Sequence, residues 1–225
     1  MTGTGLASPD GLPVNDTDTL ADWAQDPADH DNGRKVRYPG WDAERLFFTE
    51  RVTETAHLTV AVAPDHAFAA VGALLAQAQQ RIQIEAYTFR SRELADLLLA
   101  RLEEGVAVTI LLEGEPAFGG VTDQQRWIAR QLSEAGAEIL FMVNNSEADV
   151  YDRYPHLHAK MILVDGRLAL IGSENLNPTG LPADAKGDGT AGHRGVLLIT
   201  DAPRVVARVQ AIFDADFDPA HHVDL

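Results

Sequence analysis

Residues 158–175, HAKMILVDGRLALIGSEN, decide how the middle of this chain folds. Residues 159–164 and 167–171 are short apolar runs. Between them stands Asp165-Gly166, a dipeptide that favours a tight turn between antiparallel strands. Because both runs are short and a turn signal separates them, the sequence predicts a buried β-hairpin here.

The polar side chains of this hairpin are spaced for phosphate chemistry. Residues two apart on a strand share a face, so His158 and Lys160 are expected to project together, about 6–7 Å apart. A neutral imidazole can attack phosphorus, and a lysine ammonium suits a phosphate oxygen. Ser173 and Asn175 leave the second strand near the same rim, where they can donate to oxygens that gain charge. Asp165 stands at the opposite end of the hairpin, where we expect it to hold the turn.

The order of these residues resembles the signature of the phospholipase D superfamily, HxK(x)4D(x)6GSxN, known as the HKD motif. The similarity extends over residues 59–213, and the signature itself falls on His158, Lys160, Asp165, Gly172, Ser173 and Asn175. A long motif at fixed spacing is far more specific than a lone glycine-rich loop. The resemblance implies a phosphodiesterase that forms a phosphohistidine on one histidine and requires neither a metal nor another cofactor.

The resemblance also implies two HxK motifs that meet across a twofold axis, one histidine attacking and the other acting as acid and then base. This sequence holds one such motif, since no other histidine is followed by lysine two residues later. Either a homodimer builds one site from two chains, which is the preferred interpretation, or a second HKD domain outside this sequence completes it. Paired histidines predict a bell-shaped pH profile centred between about 5.5 and 7.5.

One position departs from the pattern of the superfamily. Many members carry an acidic residue further along the chain that orients the imidazole through its other nitrogen, and here Gly195 stands where a glutamate is often found. An orienting partner for a catalytic histidine is physically expected, so Asp188 or Asp184 is the candidate for this role. His156 shares the strand face of His158 and is a candidate donor to the substrate, although a solvent-facing histidine fits equally well.

Net charge narrows the choice of substrate. The 225 residues include 34 acidic and 18 basic side chains, a formal charge of −16, and an acidic surface repels polyanions at low salt. A phospholipid-type phosphodiester is therefore slightly favoured, and an endonuclease acting on nucleic acid is the alternative. Because a motif shows capacity rather than turnover, a non-catalytic domain that binds phospho-ligands or assembles with a partner is a third hypothesis.

Other features of the composition exclude several classes of protein. The chain has no cysteine, so it holds neither a disulfide nor a thiolate metal site. We expect no metal at the motif, because Lys160 adds repulsion and no third ligand is placed near the histidines. The sequence has no secretory signal pattern and no apolar run of membrane-spanning length, and it leaves the compartment open.

The alternation of apolar runs with amphipathic stretches predicts the architecture. Residues 1–45, rich in Asp, Gly, Pro and Thr, are predicted to be a leader or linker, and residues 46–225 the phospholipase D-like domain. That domain is predicted to be a layered α/β/α sandwich with a mixed, largely parallel sheet. Glu85 falls in a predicted core strand and is expected to be structural. Helix N-caps are predicted at Asp65, Ser91, Thr122 and Asp201.

Overall fold

The computed structural model of the protein describes residues 47, 49–114, 116, 120–142, 156–184 and 192–217, and the backbone of residues 222–223. The chain divides into two compact units, Met1–Arg51 and Val52–Leu225, and the fold described below belongs to the second. The predicted leader, residues 1–45, lies outside the described residues.

Strands and helices alternate through most of the second unit. The described strands are β1 (Leu58–Ala63), β2 (Arg81–Ala86), β3 (Ala107–Glu113), β4 (Glu138–Met142), β5 (Lys160–Val164), β6 (Leu168–Gly172), β7 (Gly195–Thr200) and β8 (His222–Val223). The described helices are α1 (Ala67–Leu75), α2 (Arg92–Glu103), α3 (Asp123–Glu134) and α4 (Pro203–Asp216).

The described strands form one mixed sheet in the order β1-β7-β6-β5-β2-β3-β4-β8. This confirms the predicted α/β fold with a mixed sheet. The prediction that this sheet is largely parallel is wrong, however. Five of the seven neighbouring pairs of described strands are antiparallel, and only β2–β3 and β3–β4 are parallel. The physical reason is the hairpin: β5 and β6 are joined by a tight turn, whereas parallel neighbours need a crossover helix.

The two faces of the sheet pack against different helices. Along β5, Ile162 and Val164 belong to the larger core beneath α1, α2 and α3, whereas Met161 and Leu163 pack against α4. This alternation follows from the two-residue period of a strand. Lys160 has the same parity as Ile162, so its side chain lies on the face of the larger core.

Local sequence signals set two of the four predicted helix starts. The side-chain oxygens of Ser91 and Thr122 each accept the backbone N–H three residues later at 3.2 Å. Asp65 and Asp201 were predicted wrongly: Asp65 binds Arg194 at 2.8 Å, and Asp201 binds the segment that precedes β1. A carboxylate that finds a partner distant in sequence is no longer available to cap its own helix.

The strand ends that carry the motif lie together at one end of the sheet, which we call the motif edge. Strands β1, β2, β3 and β6 run in the same direction and end at this edge, where β5 and β7 begin. Ala86, the last residue of β2, pairs with Lys160, and Gly172, the last residue of β6, pairs with Leu197. Ligand sites in open α/β sheets tend to lie at such strand ends.

Glu85 lies in β2 on the α4 face of the sheet, between Leu111 and Met161. Its side chain is buried, and neither carboxylate oxygen has a hydrogen-bond partner. Burial, and secondarily the charge of Asp216, raises the pKa of Glu85 to about 9. The carboxyl is therefore protonated at neutral pH, which is how a fold tolerates an acid in an apolar layer.

Glu85→Gln is expected to stabilise the fold at alkaline pH. Because the folded pKa lies above the unfolded value of 4.5, the contribution of Glu85 is complete below pH 4.5 and is lost as pH rises through the folded pKa. Between these two pKa values, the free energy of unfolding falls by about 1.4 kcal/mol for each unit that the pH rises. Urea midpoints of wild type and variant should diverge as pH rises, with Glu138→Gln, at an exposed position, as the control. Parallel pH dependences in wild type and Glu85→Gln would contradict the assignment.

Candidate active site

His158 and Lys160 meet at the start of β5. The ammonium Nζ of Lys160 lies 3.0 Å from His158 Nδ1 and donates to the carbonyl oxygen of His158 at 2.7 Å. Lys160 is only 7% exposed, whereas His158 is exposed. The two side chains thus share one side of the strand, as their spacing predicts, with the imidazole open to solvent and the ammonium held behind it.

The surroundings of His158 favour its neutral form. Partial burial lowers the pKa of His158, and the charges of Lys160 and then of His156 lower it further. An ammonium has no lone pair, so its contact with Nδ1 requires this nitrogen to accept and Nε2 to carry the proton of the neutral ring. The imidazole is therefore uncharged, as a nucleophile must be. Its Nδ1 lone pair, however, is occupied by the contact with the Lys160 ammonium.

Tyr87, directly after β2, packs against both groups. Its ring centroid lies 4.9 Å from that of His158, with 56° between the ring planes, and 5.6 Å from Lys160 Nζ. The aromatic face attracts the ammonium and limits the rotation of the imidazole. Sequence reasoning missed this residue, and the signal for it was an aromatic side chain at the end of a strand that reaches the motif edge.

Glu113, the last residue of β3, fixes the segment that leads into the motif. Its buried carboxylate accepts the backbone N–H of Leu157 at 2.6 Å and lies 3.8 Å from His156 Nδ1. His156 is exposed, lies in reach of Glu113 and is near enough for its charge to act on His158. Sequence reasoning missed Glu113 as well, although a charged residue directly after the apolar run 106–112 marks a strand end.

Asp165 holds the turn at the other end of β5. Its carboxylate accepts the backbone N–H groups of Gln79, Gln80 and Arg81 at 2.8–3.0 Å and the guanidinium of Arg167 at 3.2 Å. Its φ of 54° is left-handed, a conformation that aspartate tolerates better than most residues. Burial acts to raise the pKa of Asp165, but these donors outweigh it and lower the pKa to about 2.

Ser173 and Asn175 follow β6 at the motif edge. The backbone N–H of Ser173 donates to the carbonyl oxygen of Val196 in β7, and its hydroxyl accepts the N–H of Val196, both at 3.1 Å. The side-chain oxygen of Asn175 is buried without a hydrogen-bond partner. Since the two ends of a side-chain amide exchange by a flip, this position can present a donor or an acceptor to a ligand.

Glu174, the variable residue of the GSxN motif, is buried at the same edge with 8% exposure. The Ser173 hydroxyl donates to its Oε1 at 3.3 Å, and its Oε2 lies 3.8 Å from His193 Nδ1. The charge of Glu174 acts on Lys160: burial lowers the pKa of Lys160, and this carboxylate opposes that shift. Sequence reasoning passed over Glu174 because the motif leaves its position unspecified.

Of the two predicted orienting acids, the structure describes only Asp184. Asp184 lies on the exposed surface, and Asp188 lies outside the described residues. Within the described part of the chain, the ring of His158 contacts Lys160 and Tyr87. The prediction that Asp188 orients the imidazole therefore stays a prediction.

Among the described residues, no three or more His, Asp or Glu side chains are grouped so that they could hold a metal ion. The described helices include none with the length and apolar character needed to cross a membrane.

An α/β sheet that presents HxK(x)4D(x)6GSxN at one edge defines a protein of the phospholipase D class. Residues 71–217, more than half of the chain, match the family described as cardiolipin synthase, PLD-like domain. The protein belongs to this family and so to the phospholipase D superfamily, whose members are phosphodiesterases and phosphotransferases.

One curated protein and two solved structures illustrate what the chain is similar to. Cardiolipin synthase B of Shigella flexneri is 30% identical over 109 residues, which are 48% of this chain and 24% of that protein, so the chain spans about a quarter of this relative. The phospholipase D family member Nuc from Salmonella typhimurium is 17% identical with a TM-score of 0.59, over 76% of this chain and 99% of that one. NucT from Helicobacter pylori is 16% identical with a TM-score of 0.59, over 76% and 100%. Identities this low show a common fold.

Asp165→Asn is expected to destabilise the fold by about 2 kcal/mol at pH 7, since a carboxylate pKa lowered by nearly two units corresponds to that energy. The contribution of Asp165 is complete above pH 3.8 and is lost as pH falls through about 2. Urea unfolding at pH 7 and at a series of lower pH values measures the difference between wild type and variant. Asp214→Asn, an exposed aspartate of α4, is the control. Equal stabilities of Asp165→Asn and wild type at pH 7 would show that Asp165 does not hold the turn.

Proposed function

We propose that the protein is a metal-independent phosphodiesterase of the phospholipase D type, which hydrolyses or transfers a phosphodiester through a phosphohistidine on His158. The observation that carries this proposal is an exposed, neutral imidazole 3.0 Å from the buried ammonium of Lys160. A nucleophile and a phosphate-binding cation therefore lie side by side at the start of β5. Both groups can therefore contact the same phosphate from the positions that they occupy.

In the first step, the substrate phosphate draws Nζ of Lys160 away from His158 Nδ1. The imidazole is then free to exchange its proton between the two nitrogens and to attack phosphorus with the unprotonated one. A P–N bond forms while the P–O bond to the leaving alcohol breaks, and the alcohol oxygen takes a proton from a general acid. Lys160, Ser173 and Asn175 supply positive charge and donors to the phosphoryl oxygens as their charge grows.

The second step releases the phosphoryl group. Water or an acceptor alcohol attacks the phosphohistidine, gives its proton to the group that had served as acid, and restores the neutral imidazole of His158. Transfer and hydrolysis differ only in which hydroxyl enters. Asp165 takes no part in either step, because it lies beyond the far end of β5, about 16 Å along the strand from Lys160.

The general acid is assigned to a second HKD motif, supplied by a second copy of this chain. An apolar strip on the outer face of β1, β7 and β6 supports this assembly. The side chains of the strip are 40–61% exposed, and burial against a partner would remove them from water. It consists of Leu58, Val60, Ile171, Val196 and Leu198, of which Val60, Leu198 and Ile171 form one row. A second HKD domain beyond this sequence is the alternative source of the acid.

The proposed substrate is a phospholipid-type phosphodiester. Both the family description and the relative from Shigella flexneri name cardiolipin synthase, whose substrates are assigned to this chain only by similarity. The net charge of −16 also disfavours a long polyanion at low salt. Nucleic acid phosphodiesters are the competing substrate.

His158→Ala is expected to lower the hydrolysis of bis(p-nitrophenyl) phosphate by at least about a thousandfold, because the covalent step is lost. His57→Ala, an exposed histidine before β1 and remote from the motif edge, is the control and should keep wild-type activity. Undiminished hydrolysis by purified His158→Ala would exclude the proposed mechanism and favour a non-catalytic binding domain. Anionic phospholipid vesicles and single-stranded DNA, offered to wild type at matched salt, separate the two substrate classes.

The pH dependence of kcat/KM is expected to be bell-shaped. Because the pKa of His158 lies below 6.5, the rate should rise with pH on an acid limb below pH 6.5, as this imidazole loses its proton. The alkaline limb follows loss of the proton from the partner histidine that serves as acid. Initial rates with bis(p-nitrophenyl) phosphate in buffers of constant ionic strength measure both limbs. A rate that climbs continuously to about pH 10 would be incompatible with paired histidines.

A further inference from the structure

Two glycines surround the carboxylate of Glu174. A Cβ placed on Gly195 would overlap Oε1, Cγ and Cδ of Glu174, and a Cβ on Gly180 would lie 2.7 Å from Oε2. Neither glycine has a left-handed backbone, so conformation alone does not require glycine at either position. The absence of their side chains is what admits the carboxylate of Glu174 to the motif edge.

The carboxylate of Glu174 lies over Gly195, on the face of the sheet that carries the larger core, and Lys160 projects from that same face. Lys160 and Glu174 are both less than a tenth exposed, and among the described residues Glu174 is the acid whose charge acts on the ammonium. Removing an ammonium from water costs several kcal/mol unless an opposite charge and hydrogen bonds compensate for it. The other neighbours of Nζ, the carbonyl oxygen of His158 and the ring of Tyr87, carry no full charge.

We propose that Glu174 is the positioning carboxylate of this site, filling the space left by Gly180 and Gly195 to hold the Lys160 ammonium beside His158. This inference rests on the proposed function and is separate from the prediction that Asp184 or Asp188 orients the imidazole directly. Glu174 acts through Lys160 and does not touch the reacting phosphorus.

The shared space gives a specific test, because a glutamate at position 195 would start from the point that the carboxylate of Glu174 now occupies. Glu174→Ala is expected to lower kcat/KM by at least about tenfold, since the ammonium loses its compensating charge. Gly195→Glu alone should also lose activity, because two carboxylates then compete for one space. The double variant Glu174→Ala/Gly195→Glu should regain most of the loss, while Glu174→Ala/Gly195→Ala, which adds a Cβ without a carboxylate, should not. Such non-additivity is the signature of two positions that serve one interaction.

Rates are measured with bis(p-nitrophenyl) phosphate, and thermal unfolding of every variant shows whether it is folded. Glu174→Gln keeps the shape of the side chain and removes its charge. It therefore tests the role of the Glu174 charge even if the double variant does not fold. Wild-type activity in Glu174→Gln, or a folded double variant no more active than Glu174→Ala, would overturn the proposal. His158→Ala runs in parallel: if it stays active, the proposed function fails, whereas if it is inactive and rescue is absent, only the role of Glu174 fails.

Discussion

The structure of the motif edge follows from one constraint, the burial of the Lys160 ammonium at the first residue of β5. A charge withdrawn from water must be met by acceptors, an aromatic face or an opposite charge. Here the carbonyl oxygen and Nδ1 of His158 and the ring of Tyr87 contact the ammonium, and the charge of Glu174 acts on it from a third part of the chain. The same contacts fix the imidazole, so the compensation of one charge also arranges the groups expected to act on phosphate.

Strand direction explains why these parts of the chain converge. Strands β2, β3 and β6 deliver Tyr87, Glu113 and Glu174 to the edge where β5 starts. Because β5 runs antiparallel to β2, the first residue of β5, rather than its last, lies at this edge. The hairpin turn and its stabilising Asp165 are thereby kept at the opposite edge, away from the open side of the site.

Apart from the fold class, what the sequence predicted correctly was local. The pairing of His158 with Lys160 follows from the i, i+2 geometry of one strand, and the caps at Ser91 and Thr122 bind residues three positions away. Tyr87, Glu113 and Glu174 join the site through contacts between distant segments, and hydrophobic periodicity does not encode strand order. The same limit explains the overestimate of parallel pairing, because a pattern of alternating elements does not reveal which strands become neighbours.

The glycine at position 195 has a consequence for how related chains are compared. A criterion that demands glutamate in that single alignment column would class this protein as a pseudoenzyme. The space above Gly195 is nevertheless filled by a carboxylate that arrives from Glu174 on the adjoining strand end. Two acids can thus enter one region of a site from unrelated sequence positions, so inventories of inactive homologues are better drawn from three-dimensional occupancy.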